Sequence, residues 1–365
     1  MGVFQIDRRS VANFDLVLVL MVAILGAAGV VNLTSAAAGA SLWKVQTYWL
    51  AIGLVVCFFA LVIDFKKYEK AAPLLYLFSL ALLVGVHFLG RRVSGALSWY
   101  HLGPANFQPS ELMKIALILS LARIYQHDSH DKPWGLRELL LPGAVIAVPV
   151  LSILAEPDAG TALIILLVCG SMILFAGIRR WMLVIAVVAG LISFYPIWNY
   201  GLKPHQRSRI LTFIHPEADP LGAGYNALQS KIAVGSGGVS GKGYKDGSQN
   251  LLRFLPEQQT DFVFSVWAEE WGFGWVAGAL VLYLGVVWRG LRAAREAKDR
   301  FGMMLAFGCS MLIFWHVFVN IAMVVGLFPV IGVPLPFMSY GGSNLMTFMI
   351  CVGLILNVGM RRYFF

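Results

Sequence analysis

Residues 301–360 read FGMMLAFGCSMLIFWHVFVNIAMVVGLFPVIGVPLPFMSYGGSNLMTFMICVGLILNVGM, a run without one Asp, Glu, Lys or Arg. A helix crosses a bilayer with about 20 apolar residues, so this run is far too long for a single crossing. Pro329, Pro334, Pro336, Gly341 and Gly342 interrupt it near the middle, where a helix breaks. Two membrane spans joined by a short connection result, and the fold class follows: an all-α polytopic membrane protein.

Further apolar runs lie at about 14–34, 46–63, 72–90, 108–125, 139–155, 160–178, 181–200 and 266–288; with 303–326 and 343–360 they make about ten spans. Composition agrees, since the 365 residues are 59% hydrophobic and 13% charged, with a mean hydropathy of +0.75. A soluble domain carries roughly 25% charged residues. The net charge of +9 is dispersed in short clusters between apolar runs, which argues against a nucleic-acid partner. Cys57, Cys169, Cys309 and Cys351 all fall inside the runs and read as small apolar residues, not as disulfides or metal ligands. Arg8 and Arg9 ahead of the first run, and Ser35-Ala36-Ala37-Ala38 after it, resemble a secretory signal. The run exceeds the roughly 7–15 residues of a signal core, so an uncleaved first span is expected.

Basic residues set the orientation. With the N-terminus inside, the inner segments hold seventeen Lys and Arg, from Arg8/Arg9 and Lys66/Lys67/Lys70 through Arg123/Lys132/Arg137, Arg179/Arg180 and Arg289–Arg300 to Arg361/Arg362. The short outer loops hold only Lys44, Arg91 and Arg92, so both termini are expected in the cytoplasm. Residues 201–260 form one long, polar, Gly-rich extracytoplasmic loop within a single membrane domain spanning 1–365. A structureless segment of that length is uncommon without a function. No internal repeat stands out, which weighs against a transporter of two equivalent halves.

Ionisable groups inside spans are functional hypotheses by default. Glu111 and Lys114, three residues apart, share one helix face, either to neutralise each other for insertion or to line a polar site. Asp158 stands where the fifth and sixth spans meet, as a cap or as part of that site. Residues Gly235–Gly243 are too far from a phosphate-binding loop to predict a nucleotide, because Ser236 and Gly243 occupy the diagnostic positions. Their amides either approach an anion or form a flexible turn. Thr260 reads as the N-cap of the eighth span, with Asp261 in its first turn. Asp261 there either complements the helix dipole or acts as a general base towards a hydroxyl. Trp267 and Trp271 suit a sugar face or an interfacial belt, and His316 reads as a hydrogen-bonded packing residue without a ligand set.

Six blocks in order carry a resemblance. They are Phe107-Gln108-Pro109-Ser110-Glu111 with Lys114; Glu156–Thr161; Asp219–Tyr225; Gln229–Gly238; Phe254–Glu257 with Thr260-Asp261-Phe262; and Pro334–Ser343. Together they resemble the shape, elongation, division and sporulation (SEDS) family of cell-wall glycosyltransferases over nearly the whole chain. Gly241-Lys242-Gly243, Gly247-Ser248-Gln249 and Arg253–Glu257 look more like its rod-shape branch than its division branch. Two positions depart from the pattern. Gln259 stands where the family usually has His, so no essential base sits there, and Ser98-Trp99 replaces a frequent Arg-Trp. A phosphate contact from that Arg is then absent or supplied by another cation such as Arg91 or Arg92.

The resemblance implies polymerisation of lipid II into β-1,4 glycan on the outer face of the cytoplasmic (inner) membrane during elongation. The donor is an α-linked undecaprenyl-pyrophosphate glycan, so configuration inverts and one base suffices. Asp261 is the expected base; Glu111, Lys114, Asp158 and Trp99 are expected at the substrate, with Arg207, Arg209, Lys231 and Lys242 as cations for the pyrophosphate. A divalent cation is compatible with this chemistry, though the sequence shows no dedicated ligand cluster. The implied partners are a class B penicillin-binding protein, the transpeptidase, and the elongation machinery. Two rivals share the ten spans: a lipid II flippase, and a scaffold that only recruits the transpeptidase.

Overall fold

The computed structural model describes residues 13–36, 41–93, 96–102, 105–126, 133–196, 199, 204–214, 223–252, 254–255 and 257–361. The helices expected from the apolar runs are α1 (Leu16–Ala36), α2 (Leu42–Val62), α3 (Phe65–Leu89), α4 (Pro109–Gln126), α5 (Leu136–Ala155), α6 (Ala159–Ala176) and α7 (Arg180–Pro196), then α11 (Val263–Glu296), α12 (Arg300–Val324) and α13 (Gly342–Met360). Eight of these ten are long and apolar enough to cross a membrane by length and composition. The others are α4, which carries Glu111, Lys114 and Arg123, and α7, which has 17 residues. The protein is a multi-pass membrane protein. Capping explains several ends: Asp64 accepts from Lys66 N (3.0 Å) before α3, and Asp299 from Gly302 N (3.1 Å) before α12.

Two features depart from expectation. The connection from α3 to α4 is a small antiparallel sheet of β1 (Arg91–Val93), β2 (Ala96–Leu102) and β3 (Ala105–Phe107), paired Arg91 to Trp99 and Tyr100 to Phe107. The segment expected as a long loop instead contains α8 (Pro204–Ile214), α9 (Ala223–Ser236) and the single turn α10 (Ser248–Leu251). Its glycines make close backbone contacts, described below, that single-residue propensities do not report.

Burial orders the bundle. In α12 and α13, 67% and 72% of the apolar window is buried inside the protein, against 22% in α2 and α3. The former are the core and the latter face lipid with Ile52, Leu54, Phe58, Leu74, Leu77 and Phe78. The three-strand sheet, the start of α4, the α5–α6 junction, α8–α10 and the connection 325–341 gather at one end, opposite the turns bearing Arg179, Lys298 and Arg361. Arg8/Arg9, Lys132, Arg362 and Asp219–Gly222, on which part of the sequence reading rests, lie outside the described residues.

Candidate active site

Asp261 lies two residues before α11, which starts at Val263 with no side-chain cap. The expected cap is therefore corrected: Thr260 Oγ1 turns back to donate to the Glu257 carbonyl (3.3 Å) and carboxylate (3.2 Å). Tertiary bonds hold the turn instead. Asn320 Nδ2 donates to the carbonyls of Asp261 (2.8 Å) and Val333 (2.7 Å), Ser339 Oγ to that of Thr260 (2.6 Å), and Tyr340 N to that of Gln259 (2.9 Å). Gly332, at φ +74°, faces the acid closely enough that a β-carbon there would stand 3.4 Å from Oδ2. Burial pushes the Asp261 carboxyl up to about 7; the charges of Glu257 and Asp158 add to this and Arg209 opposes it. The charges of Glu257, Arg209 and Asp158 thus all act on one carboxylate.

Asp158 takes the capping role expected of it. It caps α6, accepting from Thr161 N (3.0 Å) and Oγ1 (2.8 Å), and it also accepts from Gln108 Nε2 (3.0 Å) at the start of α4. Burial raises its pKa, and the bonds from Thr161 counteract that. The N-terminus of α6 abuts the chain beside Asp261, since a β-carbon on Gly160 would press on the Ile331 carbonyl. Glu156, two residues earlier, is 1% exposed, with Ser98 beside it and His87 Nδ1 at 3.9 Å. Burial pushes its carboxyl up to about 8, against a pull from Ser98.

Lys114 Nζ bonds Glu111 Oε1 at 2.8 Å, and also meets His316 Nε2 at 3.1 Å. All three side chains are buried.

The loop cations divide. Lys231 lies across Gly326, at the head of the connection that seats Asp261. Arg207 donates to the Asn199 carbonyl (2.6 Å). Trp99 is half-buried in β2 opposite Arg91, and the side chains of Arg91 and Arg92 lie outside the described residues.

Lys242 is taken up by Glu269, a fully buried acid in α11, at 2.6 Å, with Ser248 Oγ at 2.8 Å. Around it the Gly-rich stretch is neither an anion cradle nor a free turn. α11 breaks at Gly272 (φ 73°), and the carbonyls released there accept from Lys242 N (Glu269, 3.0 Å) and Gly243 N (Glu270, 3.0 Å). β-carbons on Gly237 or Gly241 would overlap the carbonyls of Ala268 and Glu270, which accounts for glycine at both. Glu270 in turn bonds Ser35 and Asn250, so α1, α10 and α11 meet at a second acid. Glu269 and Glu270 were not singled out from the sequence, although two acids within an expected span are the signal that would have marked them. Trp267 and Trp271 stack on α11, with centroids 5.1 Å apart, and Trp275 meets both edge-on. Among the described residues no three His, Cys, Asp or Glu converge as a metal-ligand set.

The chain as a whole is similar to known proteins. Residues 9–363 match the FtsW, RodA and SpoVE family, described as cell cycle proteins. The peptidoglycan glycosyltransferase MrdB of Escherichia coli strain K12 is 42% identical over 314 residues, covering 86% of this chain and 84% of that protein. A chain from a structure on coordination of polymerization and crosslinking by a peptidoglycan synthase complex superposes with a TM-score of 0.84 at 33% identity, over 96% and 99% of the two chains. The crystal structure of the rod shape determining protein RodA of Thermus thermophilus gives 0.72 at 30% identity, over 96% and 98%.

Proposed function

This chain belongs to the FtsW, RodA and SpoVE family of cell cycle proteins, and from that premise we propose how it works as a peptidoglycan glycosyltransferase. It polymerises lipid II at the outer face of the cytoplasmic membrane, in a single membrane domain whose α8–α10 region covers the site. One observation carries the assignment: Asp261 is a carboxyl poised at about 7 by burial, seated by hydrogen bonds to its backbone that leave its side chain available.

In this mechanism Asp261 takes the proton from the 4-hydroxyl of the acceptor GlcNAc as that oxygen attacks the donor anomeric carbon. The new C1–O4 bond forms as the C1–O bond to undecaprenyl pyrophosphate breaks, on the opposite face, so the α-linked donor yields a β-1,4 product. The leaving pyrophosphate takes the bonding pair, and Arg209 and Lys231 supply positive charge near it. Glu111, Lys114 and Asp158 form the polar floor on which the sugars sit, and Trp99 flanks it. Lys242, matched to Glu269, serves the scaffold. A class B penicillin-binding protein of the elongation machinery cross-links the strands; likeness to a chain of a peptidoglycan synthase complex supports that partner.

Glycan-strand synthesis from purified lipid II, with the transpeptidase present, tests the proposal. Polymer from wild type and none from an equally folded Asp261→Asn is expected. Equal polymer from both removes Asp261 from the chemistry. Translocation of lipid II without polymer from wild type returns the flippase.

A further inference from the structure

His316 and Asn320 lie one turn apart on α12, so their side chains leave the same helix face. Both reach the connection that seats Asp261. Asn320 bonds the carbonyls of Val333 and Asp261, and His316 Nδ1 meets the next carbonyl, Pro334 O, at 3.4 Å. The other ring nitrogen of His316 meets Lys114 Nζ (3.1 Å), which Glu111 holds from the far side (2.8 Å). An ammonium donates and never accepts, whereas a carbonyl only accepts. The ring must then be neutral, accepting at Nε2 and donating from Nδ1. Phe348 packs edge-on to it, with centroids 4.9 Å apart, and His316 is 2% exposed.

We infer that His316 is a positioning residue that ties the Glu111–Lys114 pair to the chain segment seating Asp261. This rests on the proposed polymerase reading. Through Pro334 and Val333 the bridge continues to Asn320 and the Asp261 carbonyl, so the charged floor and the base keep a fixed separation. Misplacing reacting groups by about 1 Å costs on the order of a hundredfold in rate.

Three variants, assayed with purified lipid II and the transpeptidase, test it beside wild type and Asp261→Asn. His316→Phe keeps the ring volume and loses both bonds; His316→Asn keeps a donor and an acceptor on an arm too short to span; His316→Gln spans. Turnover is expected to fall tenfold to a hundredfold in the Phe and Asn variants, with KM changed by less than about threefold, and to recover largely in the Gln variant. Wild-type turnover in either short or apolar variant, or a Gln variant as impaired as they are, overturns the inference. A second readout needs no catalysis: thermal unfolding in detergent of His316→Gln, His316→Asn, Lys114→Met and the two doubles. Non-additive shifts are expected for Asn with Lys114→Met, and additive shifts overturn the bridge. Absence of polymer from wild type counts against the polymerase reading, and the unfolding cycle still decides this one.

Discussion

A carboxylate that is to accept a proton near neutrality must hold it more tightly than it does in water, and burial does this to Asp261. The proposed base works ionised, so polymerisation should rise with pH through about 7, which a pH–rate profile reads. Glu257 raises that pKa and Arg209 lowers it. Glu257→Gln should therefore shift the rise to lower pH and Arg209→Ala to higher pH. Stability runs the other way. Because the folded-state value lies above the unfolded one, the folded protein holds the extra proton between the ordinary aspartate value of 3.8 and about 7. The contribution is complete below that window and is lost as pH rises through it. Asp261→Asn, which cannot ionise, should melt at the wild-type temperature or above at pH 8, while polymer falls by about a hundredfold or more. Asp261, Asp158, Glu111 and Lys114 were all legible as charges in apolar surroundings. The bond between Lys114 and His316 was not, because the two lie 202 residues apart and the sequence marks His316 only as a hydrogen-bonded packing residue.

At the scale of elements, the break in α11 organises the region after α7. Gly272 frees carbonyls that would otherwise be used within the helix, and the stretch around Gly237–Gly243 supplies the donors. Gly241→Ala adds a side chain at φ +78° against the Glu270 carbonyl. It should cost about 1–3 kcal/mol or more of stability, read by thermal unfolding. Lys242→Met leaves Glu269 buried without its cation and should cost roughly 3–5 kcal/mol, whereas Lys242→Met with Glu269→Leu should recover most of it. Apolar runs and prolines marked the ten long helices well. They failed at α8–α10 and at the β-strands, where pairing partners and not composition decide the structure. Thr260 shows the same limit: its type suits an N-cap, yet bonds from Asn320, Ser339 and Tyr340 hold the chain so that α11 begins later.

For the whole molecule, the ten long helices form an even number of crossings, and every proposed catalytic group lies at one end. Val239 is 80% exposed at that end, and Lys67 is exposed at the other. In a background without native cysteines, a membrane-impermeant thiol reagent applied to intact spheroplasts should label Val239→Cys, and should label Lys67→Cys only after permeabilisation. The opposite pattern inverts the topology. The expected orientation rests on the charge bias between loops; the depth of α12 and α13 was not legible, since every span is apolar and only packing separates core from rim.

The seat of Asp261 is built almost entirely from residues 320–340, which a ribosome makes after the acid itself. A nascent chain already inserted through α11 holds Asp261, Asp158, Glu111 and Lys114, yet has no formed site. With Asp261 as the proposed base, a chain cut before α12 lacks the bonds that seat it and should begin no glycan strand.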